Sequence, residues 1–190
     1  MSKLLENISL IIRLDAEEQK KIERAFIPAS LRKGEHWITA GKVCKQVAFL
    51  HSGKLRVYYG DISGDETTCH FFMPESFVSS LTSFLTNTPS TEHITAMEDS
   101  ELLNISKERL EALSDEIPKL HIWRRVIAEN LFISMEKRVA MLQSKTAYER
   151  YSKMIEEDPR ILLSVPLQYT ASFLGITPQH LSRLRRESVK

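Results

Sequence analysis

The stretch PLQYTASFLGITPQHLSRLRR, Pro166 to Arg186, gathers hydrogen-bonding and guanidinium side chains at spacings that put them on one face of a short helix. Leu167 to Leu174 turns Ala171 and Leu174 to an inward helical face, Gly175 is free to take positive φ, and Ile176 fills the angle between two helices. Thr177 suits an N-cap, Pro178 fits the first position of a second helix, and Leu181 with Leu184 continues the buried face. Gln179, His180, Ser182, Arg183, Arg185 and Arg186 are left outward. From Pro178 to Lys190 four bases (Arg183, Arg185, Arg186, Lys190) stand against one acid (Glu187), a local charge of +3. Phosphates attract such a helix, and residues near its start reach base edges in a major groove. On this reading Gln179 and Arg183 read bases, Arg185 and Arg186 hold phosphates, and Thr177, His180 and Ser182 complete the surface. The plainer alternative is an α-hairpin whose polar face meets only water.

These residues need a scaffold. The chain has 190 residues, 42% of them hydrophobic, enough for one mid-sized fold or two small domains. Its net charge of +1 means that affinity for double-stranded DNA must come from local charge. Cys44 and Cys69 stand apart without the paired spacing of a zinc or iron–sulfur site. No apolar run reaches the length of a membrane span, and the stretch from Leu4 to Leu14 is broken by Glu6, Asn7 and Arg13, unlike a signal peptide. The expectation is a reduced, cytoplasmic protein with no membrane partner.

Asp15 to Phe26, with a capping aspartate and acids in its first turn, predicts a lead-in helix. From about Ile27 to Ile105 short runs alternate with turn residues: HWIT, QVAFLHS, KLRVYY, TTCHFF, EHITAM and ELLNI. Five of the six glycines lie in this stretch, which indicates an antiparallel sandwich or barrel of the β-roll or jelly-roll kind. KERLEAL predicts a helix, and a longer one runs from about Ile117 to Leu142. Within it Leu120, Trp123, Ile127, Leu131, Ser134, Arg138 and Met141 recur at spacings of three and four, a seam suited to a homodimer; a core helix lying on the roll is the alternative, and one helix could do both. The fold class is α+β: an N-terminal effector-type roll with its lead-in helix (1–113), a dimerisation helix (114–144) and a helix-turn-helix domain without a C-terminal wing (145–190).

In that order the elements resemble the Crp/Fnr superfamily of bacterial transcription regulators, which includes the catabolite activator protein. The resemblance covers nearly the whole chain through KGEHWITAGK (Lys33 to Lys42), FLHSGKLRVYY (Phe49 to Tyr59), SKERLEAL and the terminal hairpin; ERYSKMIEEDPRILLSVP resembles the first helix of the DNA-binding domain followed by a short connector, with Pro159 and Pro166 both punctuating helix starts. It implies a homodimeric regulator with an effector-sensing roll, and RNA polymerase is a candidate partner.

The resemblance also implies where a cyclic nucleotide would sit, and there this sequence departs from the family. Family members hold the phosphate with a Gly-Glu pair followed by Arg-Ser or Arg-Thr; here Ser79 and Ser80 stand for the first pair and Ser90 and Thr91 for the second. Between Arg56 and Lys107 no Lys or Arg occurs, against eight acids. A phosphate entering a low-dielectric pocket needs a countercharge, so cyclic AMP is not expected to bind. Met135 and Glu136 occupy the helix positions where cyclic-AMP-binding members present hydroxyls to the base. A neutral small-molecule effector held by Ser79, Ser80, Thr82 and Ser83, or no effector, is left. Haem through His36, His51, His70 or His93 is less in keeping with lone histidines, which are more often structural, and no cofactor is expected. Two further functions stay open: a protein–protein interaction module whose roll binds a partner without DNA, and an enzyme on a cupin-like roll, which lacks paired metal histidines.

Overall fold

A computed structural model describes residues 2–187, so Lys190, counted above among the bases of the last segment, lies outside the described residues. The chain starts with a helix that the sequence does not announce, α1 (Lys3–Ser9), which buries Leu4, Leu5 and Ile8. The predicted lead-in helix is α2 (Ala16–Ala25). Asp15 accepts from the Glu17 and Glu18 amides at 2.9 Å each, and the Glu18 carboxylate accepts from the Asp15 amide at 2.8 Å, a reciprocal box that satisfies helix-end donors.

Eight strands follow: β1 (Ile27–Leu31), β2 (His36–Ile38), β3 (Gln46–Ser52), β4 (Leu55–Gly60), β5 (Glu66–Phe72), β6 (Ser76–Val78), β7 (His93–Ala96) and β8 (Ser100–Ser106), with helix α3 (Leu81–Thr86) between β6 and β7. They form two antiparallel sheets in the orders β1-β8-β3-β6 and β2-β7-β4-β5. Phe49, Leu50, Leu55, Ile94, Leu102 and Ile105 are fully buried in the core; burying each contributes roughly 1.5–3 kcal/mol. Pro28 hides β1 from a reading of strand patterns, yet β1 is an edge strand, where a missing N–H is tolerated.

Helix α4 (Lys107–Glu116) is capped by Ser106, whose hydroxyl accepts from the Arg109 amide at 3.2 Å. The long helix is α5 (Lys119–Ser144), 26 residues. Leu120 and Trp123 are buried in the roll, Trp123 edge-on to Phe77 at 4.8 Å, and Ile127 packs against the same core. Farther along, an Arg138 Nη2 donates to the Phe173 carbonyl at 2.9 Å. Much of the seam predicted to join two copies therefore faces the chain's own domains. Apolar residues open to solvent lie on other faces: Phe132 (70% exposed), Met135 (37%), Val139 (53%) and Leu142 (41%) share one stripe, while Ile122 and Ile133 are exposed elsewhere on the helix. With Ala128 the stripe residues repeat at 4, 3, 4 and 3. Adjacent residues on a helix diverge by about 100°, and apolar spacing by itself does not say which of two neighbouring stripes packs internally.

The last four helices enclose a second core of Tyr151, Met154, Ala171, Leu174, Leu181 and Leu184: α6 (Ala147–Glu157), α7 (Pro159–Ser164), α8 (Leu167–Leu174) and α9 (Pro178–Glu187). The segment read as a connector contains α7, started by Pro159 and capped by Asp158, whose carboxylate accepts from the Arg160 amide at 3.1 Å. Among the described residues no helix is long and apolar enough to cross a membrane.

Candidate nucleic-acid interface

The turn between α8 and α9 is built by local chemistry. Gly175 takes φ 66° and ψ 38°, the left-handed region. The Ile176 amide then reaches the Ala171 carbonyl and the Gly175 amide the Ser172 carbonyl, both at 3.0 Å, which satisfies the end of α8. Thr177 caps α9, its hydroxyl accepting from the His180 amide at 3.2 Å. Leu181 and Leu184 are buried under the hairpin.

That seating leaves Thr177, Gln179, Arg183 and Arg186 exposed, with His180, Ser182 and Arg185 half-buried. Among the described residues, Arg186 makes one long internal bond, Nε to the Ser182 carbonyl at 3.4 Å. Arg185 differs from the outward role expected of it: its Nη2 donates to the Leu162 carbonyl at 3.2 Å and ties α9 to α7. Among the described residues, α9 carries three bases against Glu187.

The hairpin also rests on the roll. Ser172 Oγ accepts from the Thr68 amide at 2.8 Å and donates to the Glu66 carbonyl at 3.1 Å. Phe173 lies 5.3 Å from Phe71, ring to ring. The Arg56 guanidinium stands 3.9 Å from the Tyr169 ring and 4.4 Å from the Tyr58 ring, while its Nε donates to Thr68 Oγ1 at 2.8 Å and Nη1 pairs with Glu66. No motif in the sequence singles out Arg56, Tyr169 or Ser172, and Arg138, expected in the dimer seam, bonds the hairpin instead.

At the roll's expected ligand position the structure joins some candidates and separates others. The Ser80 and Ser90 hydroxyls lie 3.0 Å apart, and Ser90 Oγ also donates to the Glu92 carbonyl at 2.9 Å. Ser83 Oγ accepts from the Cys44 amide at 2.9 Å and donates to the Thr88 carbonyl at 2.6 Å. Ser79 donates to the Gln46 carbonyl at 3.4 Å, and Thr82 and Thr91 are exposed. Met135 and Glu136 are exposed on α5. Two residues absent from the sequence reading join the serines: burial raises Glu92 above the usual carboxylate range, against the Ser80 and Tyr59 hydroxyls, which favour its ionised form. Tyr59 is itself raised, by burial first and then by the nearby Cys69 and Glu92.

Of the histidines considered for haem, His36 and His51 are exposed and His70 and His93 are half-buried. Burial pushes His70 down to about 4, with the Arg138 charge adding to it. His36 Nε2 lies 3.1 Å from the Tyr58 hydroxyl, and His93 Nδ1 accepts weakly from the Ala40 amide at 3.4 Å. Although distant in sequence, His36 and His93 meet ring to ring at 5.5 Å. Among the described residues no group of three or more His, Cys, Asp or Glu is placed to hold a metal ion.

Residues 28–116 match the cyclic nucleotide-binding domain family. No curated protein matches the chain. Among solved structures it is similar to a CooA variant from Carboxydothermus hydrogenoformans (18% identity, 98% of this chain and 84% of that one, TM-score 0.74). It is similar also to CLP, described as a c-di-GMP-responsive global regulator of Xanthomonas campestris (16%, 91% of each chain, TM-score 0.72), and to the Thermus thermophilus catabolite activator protein (20%, 92% and 83%, TM-score 0.56). At these identities the fold is what is shared.

Proposed function

We propose that this chain, in which a cyclic nucleotide-binding domain is built into the Crp/Fnr regulator fold, is a homodimeric, sequence-specific DNA-binding transcription regulator whose roll does not take cyclic AMP. The observation that carries the reading is the α9 face: a capped, core-anchored helix holding Gln179, Arg183 and Arg186 out to solvent. Gln179 and Arg183 read base edges, with Thr177, His180 and Ser182 beside them near the helix start. Arg186 holds phosphate, and Arg185 uses the N–H groups not given to Leu162 for the same purpose.

One such helix reads only a few base pairs. The α5 stripe Ala128, Phe132, Met135, Val139 and Leu142 has the 3.5-residue repeat that two helices bury between them, so a second copy covers it and brings two α9 helices to half-sites one turn apart. The working division is a roll (1–113), a dimerisation helix (114–144) and a DNA-binding unit (145–190), with RNA polymerase as the downstream partner in the cytoplasm.

In the roll, Ser80 and Ser90 answer each other and Glu92 adds a carboxylate. An anionic phosphate brought there would lose its hydration and meet a carboxyl group where it needs a counter-ion. A neutral compound able to compete for the serine hydroxyls is the effector class compatible with this set.

Selection of bound fragments from genomic DNA tests the reading. A palindrome with half-sites about 10 base pairs apart is the expected product. No retention of any fragment at low salt would overturn it and favour a roll that binds a protein partner.

A further inference from the structure

Strand β5 pairs with β4 on one side, and its other edge meets α8. There Ser172 bonds the Thr68 amide and the Glu66 carbonyl together, so one hydroxyl does for two backbone groups what a neighbouring strand would do. Arg56, 4% exposed, holds its guanidinium against the Tyr169 ring, an attraction strengthened where water is excluded. Arg138 closes the junction from α5, bonding the Phe173 carbonyl. These contacts use Tyr169, Ser172 and Phe173, positions i, i+3 and i+4 of α8, whereas Ala171 and Leu174 are buried in the core shared with α9, against which Phe173 also packs at the boundary of the two faces. The helix thus has one face for the DNA-reading helix and another for the roll.

We propose that the second face is a latch, which seats α8, and α9 with it, on the β4–β5 hairpin in the orientation that reads DNA. The latched form leaves Gln179, Arg183 and Arg186 exposed, so it presents the reading face and does not mask it. Fixing the orientation in advance spares DNA binding the cost of ordering a swinging domain, and it makes the hairpin the lever through which a change in the roll reaches α9. The DNA half of this inference rests on the function proposed above; the latch itself does not.

The test uses the full chain with Tyr169→Ala and Tyr169→Phe, reading amide hydrogen exchange at Thr68 and affinity for the selected two-half-site fragment. Tyr169 lies outside the core of the last four helices, and protection of the Leu181 amide reports that this core stays folded. Arg56→Gln attacks the same contact from the roll should that protection fall. The expected result is Thr68 exchange at least tenfold faster and DNA affinity about tenfold weaker in Tyr169→Ala, with both restored in Tyr169→Phe. Unchanged Thr68 exchange in Tyr169→Ala and Arg56→Gln would overturn the latch. Faster exchange with undiminished DNA affinity would overturn its control of DNA reading. Failure of the unaltered protein to bind any DNA would reject the proposed function, while the exchange at Thr68 would still decide the latch.

Discussion

The roll's serine site and the α9 surface are both polar, and they treat their polar groups in opposite ways. Ser80, Ser83 and Ser90 are buried, and each hydroxyl has a partner inside the chain. On α9 the exposed Gln179 and Arg183 are left to solvent. A buried hydroxyl without a partner costs about 1–3 kcal/mol, so a site that lacks its ligand's countercharge stays folded only if its groups bond one another. A DNA-reading surface works under the reverse demand: its donors must be free until the duplex arrives.

Two glycines put the contrast in terms of space. Gly53, in the roll, has φ +91°, and a Cβ there would stand 2.1 Å from Ser100 Oγ and 2.7 Å from Ser100 Cα. Since backbone has to move, Gly53→Ala is expected to cost more than about 3 kcal/mol. Gly175 is also left-handed, at φ +66°, but the nearest atom to an added Cβ is Leu142 Cδ2 at 3.7 Å. Gly175→Ala should cost about 1 kcal/mol, the conformational penalty alone. Urea midpoints of the two variants measure this, and equal losses would break the contrast between a closed roll and an open hairpin.

The α5 stripe sharpens it further, because here an apolar face is the open one. Phe132→Glu combined with Val139→Glu should leave a folded monomer by sedimentation and weaken binding to a two-half-site fragment about a hundredfold, the advantage lost when two reading helices are no longer linked. Placing the same charges on the predicted seam, at Leu131 and Met141, should disturb dimerisation less, since those side chains are half-buried and lie off the open stripe.

On α9 the expected effects are smaller and distinguish neighbours. Arg183→Ala should relax preference at one base pair by about 1–3 kcal/mol, whereas Arg186→Ala should weaken all sequences alike and reduce the salt dependence by about one counter-ion. Binding to a panel of single-base variants at two salt concentrations separates the two. A uniform loss from Arg183→Ala would remove it from the base-reading set.

What could be read from sequence follows the range of the forces involved. The hairpin was legible because Gly175, Thr177 and Pro178 obey rules that act within a few residues, as do the caps at Asp15 and Ser106. The short elements α1, β1, β6 and α3 escaped because they are held by neighbours distant in the chain or lack a repeat long enough to recognise, whereas Pro159 marked the start of α7. The serines at 80 and 90 could be aligned, yet nothing marked Glu92 and Tyr59 as their companions. Nor did any pattern foretell that Ser172 would bond a strand 104 residues away.

His70 provides the finest probe of the closed region. Burial holds its imidazole at about 4 in the folded chain, below the ordinary value near 6.5. As the pH falls below about 6.5 the unfolded state takes up a proton first, so stability declines progressively until the pH approaches 4. Between pH 7 and pH 5.5 the loss assigned to this one residue is about 1 kcal/mol. His70→Gln, which cannot titrate, should flatten that part of the stability profile in urea melts at the two pH values. An unaltered slope would mean that the imidazole meets water in the folded state and that the roll is more open on this side than Ser80 and Ser90 indicate.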